Sequence, residues 1–128
     1  MVNRIFFLII VATQFLYSCN SNDKKNGEEK QEAISNTLHG EQLFKINCSQ
    51  CHQPTQDFTG PALKGATDRW KDKALLYEYV KNSQTVIAKD AYAKALFTKW
   101  NDMVMQPFPH LSNDDIDAIL EYCNTATE

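Results

Sequence analysis

The chain has 128 residues, 43% of them hydrophobic, with 13 basic and 16 acidic side chains and a formal charge of −3. That length holds one modest domain, and the acidic balance with no basic cluster argues against nucleic-acid binding. Four cysteines, Cys19, Cys48, Cys51 and Cys123, are too few and too unevenly spaced for a disulfide framework.

Residues 1–18 read as an export signal: Arg4 gives one positive charge and Ile5 to Tyr17 an apolar run too short for a comfortable membrane span. The run ends in LYSC, Leu16 to Cys19, similar to a bacterial lipobox that leaves a lipidated cysteine at the new N-terminus. Tyr17 departs from the small residues usual there. Residues 19–36 are polar, cannot bury a core and predict a flexible tether. The remaining residues, 37–128, form the domain.

Thr37 caps the first expected helix, which carries Leu38, Leu43, Phe44 and Ile46 and contains Gly40. A loop punctuated by Gly60, Pro61 and Gly65 follows. A helix over 72–82 presents Leu75, Leu76, Tyr79 and Val80, and one capped by Asp90 presents Tyr92, Leu96, Phe97 and Trp100. After the loop MVMQPFPH, Ser112 and Asp115 form a capping-box pattern before Ile116, Ile119, Leu120 and Cys123. The fold class is all-α, with short helices and long loops. So thin a core for about 90 residues needs a staple, a metal or a cofactor.

CSQCH, Cys48 to His52, supplies that cofactor's signature. C-x-x-C-H is the attachment pattern of a c-type haem. Two thiols one helical turn apart can add to the two vinyl groups on one porphyrin edge, and the next residue then lies under the ring, so His52 can offer a nitrogen to iron. Zinc would require two further ligands at matched spacing, which His39, His110 and Cys123 do not provide. A thioredoxin-like dithiol would require a βαβ context. For the opposite face the chain offers Met103 and Met105, two apart, so that in extended chain only one points at the ring.

On HGEQLFKINCSQCH, TGPALKG and MQPFPHLSNDDIDAILEY, in that order, the chain resembles the class I monohaem cytochromes c from about Thr37 to Thr125. The resemblance implies a cytochrome c-like fold wrapped around one haem c, with thioethers at Cys48 and Cys51. It further implies His52 as proximal ligand, the Pro61 carbonyl accepting its N–H, and Met105 as axial methionine. Tyr122 would pack on Gly40 at a helix crossing, and Trp70 would bond a haem propionate. Gln106 stands where proline commonly follows the methionine, and Cys123 where an aliphatic is usual. The implied activity is electron carriage without catalysis, from a quinol-oxidising complex to a terminal oxidase or denitrification reductase. The protein would sit on the periplasmic side, held to the membrane by lipid at Cys19. The alternatives are a haem sensor or enzyme with an open sixth position, in which Met105 only packs, and an exported helical domain with a plain disulfide.

Overall fold

The computed structural model describes residues 22–127, so the export signal and Cys19 lie outside the described residues. Contacts divide the chain into 1–32 and Ala33–Glu128. The described residues hold six helices and no strand: α1 (Asn22–Asn47), α2 (Ala66–Arg69), α3 (Lys73–Lys81), α4 (Ser83–Ile87), α5 (Ala91–Lys99) and α6 (Asn113–Thr125).

Three of these start where side-chain chemistry demands. Asp72 accepts the Ala74 N–H ahead of α3, and Asp90 accepts the Ala93 N–H ahead of α5. Ser112 and Asp115 exchange side-chain and backbone bonds in a full capping box ahead of α6. Each satisfies amide groups that a helix start leaves unpaired.

Helix α1 differs from expectation. It runs through Thr37 and back to Asn22, across most of the stretch read as a tether. Glu, Lys, Gln and Ala are good helix formers, and joined to an existing helix they extend it at little cost, whereas alone they would have to nucleate one. The face is also narrower than expected. Phe44 is buried, but Leu38 and Ile46 are exposed. Residues two apart on a helix lie about 200° apart, so 44 and 46 cannot share a face.

The core has two parts. Phe44, Ala66, Leu76, Leu111 and the α6 stripe Ile116, Ile119, Leu120 and Cys123 make one. Tyr79, Val86 and Ala93, from α3, α4 and α5, make the other, with Trp70, Leu96 and Met105 packed against it. α1 crosses α6 at Gly40, where any side chain would collide with the Ala118 carbonyl. Tyr122, one turn further on, places its ring 5.5 Å from that of Phe44. The glycine therefore admits the α6 backbone itself, and the aromatic packs one turn along α1.

Candidate functional site

Between the two core parts lies a cavity of about 360 Å³, walled mainly by apolar side chains that include Leu76, Val80, Leu96, Phe97 and Ile119. Cys48, Cys51, His52, Pro61, Trp70, Met103 and Met105 all line it. Every cofactor-binding residue named in the sequence within the described region thus meets at one place.

The cysteines sit on a turn that continues the end of α1. The Cys48 N–H donates to Phe44 O at 2.8 Å, and the Cys51 and His52 N–H groups both donate to Cys48 O. Ser49 Oγ donates to Lys45 O at 2.7 Å, closing the last turn. Burial pushes the Cys48 thiol up to about 11, whereas Cys51 is exposed.

His52 is fixed from two sides. Its Nδ1 lies 2.8 Å from the Pro61 carbonyl. A carbonyl can only accept, so Nδ1 carries the hydrogen and Nε2 keeps its lone pair. Burial lowers the imidazole's pKa against the opposing pull of that bond, which favours the neutral, metal-ligating form. On the other side is Gly60, where an added Cβ would stand 2.5 Å from His52 Cε1 and 2.9 Å from Nδ1. The loop carrying Pro61 is braced in turn. Arg69 donates to Ala62 O at 2.6 Å and Lys64 O at 2.8 Å. Asp57 accepts the Ala62 N–H, and the Gly65 N–H donates to Asn124 Oδ1 from left-handed backbone.

The two methionines are placed differently. Met105 is half-buried against Tyr79, Val86 and Ala93, and its carbonyl accepts from Ser83 Oγ at 2.8 Å. Met103 is 53% exposed. The Trp70 ring meets that of Tyr79 at 4.9 Å, tilted by 51°, and that of Tyr92 edge-on at 5.0 Å.

A haem fits these residues on two observations. One is the apolar slot between a nitrogen with a free lone pair and two thiols on a turn. The other is Trp100, another cavity-lining residue. Among the described residues its Nε1 is the buried side-chain polar atom with no hydrogen-bond partner. A buried donor without an acceptor is costly, and a ligand carboxylate would satisfy it.

The cytochrome c family model matches residues 38–127. The chain belongs to the cytochrome c family. It is similar to a cytochrome c from Rhodothermus marinus at 30% identity and a TM-score of 0.59, over 70% of this chain and 75% of that one. An engineered form of that cytochrome, Rma TDE, matches at 30% identity and a TM-score of 0.57, over 70% of this chain and 76% of that one. The same engineered protein bound to a carbene intermediate matches at 30% identity and a TM-score of 0.55, over 70% and 75%. No curated protein sequence matches. The chain is therefore a class I monohaem cytochrome c, an all-α haem-binding electron-transfer protein, with Cys48 and Cys51 at the positions of covalent haem c attachment.

Sequence reasoning missed Trp100, Gly60, Arg69 and Ser83 as site residues. Trp100 was visible only as one more apolar residue of α5, because an unpaired donor is a property of the folded surroundings. Gly60 stands beside Pro61 in TGPALKG and was read only as loop punctuation.

Proposed function

We propose that this cytochrome c carries single electrons on a haem that His52, through Nε2, and Met105, through Sδ, would hold at the iron. The bound haem supplies a one-electron iron couple. The residues supply its setting. The observation that carries the reading is that His52, with Nδ1 committed to Pro61, and Met105, with its backbone held by Ser83, line one apolar cavity. Pro61 orients the imidazole and raises its basicity as a ligand. Met105 offers a soft, neutral sulfur that favours the reduced metal and so raises the potential. The apolar walls limit water near the iron, and Trp100 Nε1, the buried donor left unpaired among the described residues, would serve a propionate. Trp70, packed against Tyr79 and Tyr92, is part of the cavity wall.

The partners that suit such a carrier are respiratory redox proteins, a quinol-oxidising complex as donor and a terminal oxidase or denitrification reductase as acceptor. An export signal and lipidation at Cys19 would hold it on the periplasmic side of a bacterial membrane. No described helix is long and apolar enough to cross a membrane.

The test is optical spectroscopy of the haem-loaded protein with and without carbon monoxide. The wild type and Met103→Ala should show a low-spin spectrum that carbon monoxide does not readily change. Met105→Ala should turn high-spin and bind carbon monoxide at once. Rapid binding by the wild type would favour a sensor or enzyme with an open position, and loss of the low-spin spectrum only in Met103→Ala would reassign the ligand.

A further inference from the structure

The segment that carries Met105 has no regular structure of its own. It leaves α5 through Asn101 and Asp102, both in left-handed backbone with φ of 56° and 57°, and reaches α6 without helix or strand. Two hydrogen bonds pin it to the junction of α3 and α4. The Phe108 N–H donates to Val80 O at 3.2 Å, and Ser83 Oγ donates to Met105 O at 2.8 Å.

Ser83 is the more telling of the two. It is 1% exposed, the buried polar residue among the described ones. A hydroxyl in such a place costs stability unless it is bonded. Helix capping does not account for it. Asn82 is the N-cap of α4 and makes no side-chain cap bond, and the hydroxyl that returns to Asn82 O is that of Thr85. The Ser83 hydroxyl instead leaves its own helix and reaches across 22 positions to the residue that offers the sulfur.

We infer that Ser83 is a positioning residue for the axial methionine: it anchors the Met105 backbone and so holds the thioether at the cavity. This rests on the reading of Met105 as ligand. A ligand on an irregular segment leaves the metal when that segment opens locally, and the open fraction is set by the bonds holding it. One buried hydrogen bond changes that fraction about two- to tenfold.

The experiment measures imidazole binding to the ferric, haem-loaded protein, a reaction that waits for the sulfur to leave, alongside the thioether-to-iron charge-transfer band. Ser83→Ala should keep the band and bind imidazole about two- to tenfold faster. Asp72→Ala removes the cap at the far end of α3, costs comparable global stability, and should bind at the wild-type rate. If the wild type lacks the charge-transfer band, the ligation reading falls and this inference with it. If the band is present but Ser83→Ala binds no faster, or Asp72→Ala is accelerated equally, the positioning role alone is overturned.

Discussion

Trp100 puts a sign on the cavity's contents. It closes α5 as the C-cap residue and lines the cavity, and its Nε1 has no partner within the described chain. A buried donor left unpaired costs about 1–3 kcal/mol, whereas one bonded to a charged acceptor contributes a similar amount. Trp100→Phe keeps the ring and removes the donor. In the haem-loaded protein it should lower stability by about 1.5–3 kcal/mol in guanidinium chloride unfolding, the value of a hydrogen bond to a charged group. A variant as stable as the wild type, or more so, would mean that the donor meets no carboxylate. Cys123 shows the contrasting case of a group explained without function. It is fully buried in the first core part, and burial, with Cys48 a smaller contributor, pushes its thiol up to about 12. It packs as a small apolar residue in the place of an aliphatic.

The crossing of α1 and α6 ties two ends of the domain together at one bare glycine and a ring of polar bonds. His39 on α1 brings Nε2 to 3.1 Å from Asp115 Oδ1, and Asp115 is also the N3 residue of the α6 capping box. The Ser112 hydroxyl and N–H, then His39, hold the Asp115 carboxyl down from 3.8 to about 2. A depressed carboxylate pKa stabilises the fold at pH values above the unfolded one, and that contribution drains away as pH falls from 3.8 towards 2. Thermal melts of the loaded protein between those values should therefore show a steeper loss for the wild type than for Asp115→Asn. Equal slopes would mean that the box carries no charge dependence. The caps at Asp90 and at Ser112 with Asp115 were legible in the sequence because cap chemistry is local: each acts within three residues of the helix it starts. The short helices α2 and α4 were not legible, since four or five residues give no readable period and form only against neighbours. The reach of α1 back to Asn22 was not legible, because a polar stretch suits a tether as well as a helix; its residues favour helix wherever one is already begun.

Over the whole domain, lysines from the middle of the chain reach across to the final helix, which carries Asp114, Asp115, Asp117 and Glu121. Lys73 Nζ meets Asp117 Oδ2 at 2.8 Å, Tyr77 donates to the same carboxylate, Lys81 reaches Asn113, and Lys64 reaches the carbonyl of Ala126. Of these, Lys73–Asp117 is the pair of opposite charges, and an exposed pair of this kind contributes little; Lys81 and Lys64 bond neutral acceptors and keep their charge. The haem site was the most legible feature, since CSQCH sits in five consecutive residues and names its own chemistry. What no sequence pattern gave is the size of the space left for the cofactor. Without the cofactor, the apolar side chains that line a cavity of about 360 Å³ face water in place of a packed partner and lose the contacts that burial would give them. Small domains are only marginally stable. The α3–α4–α5 part therefore depends on what fills the cavity to stay packed against α6. Without haem, and with its thiols kept reduced, the chain should keep helical far-ultraviolet circular dichroism. It should lose its near-ultraviolet signal, bind a hydrophobic dye and melt without a sharp transition. The loaded protein should melt cooperatively, because thioethers at Cys48 and Cys51 make the filling of the cavity part of the fold. A sharp melt of the haem-free chain close to that of the loaded one would show that the helices close the space themselves, and that the haem is a guest in this fold and not part of its core.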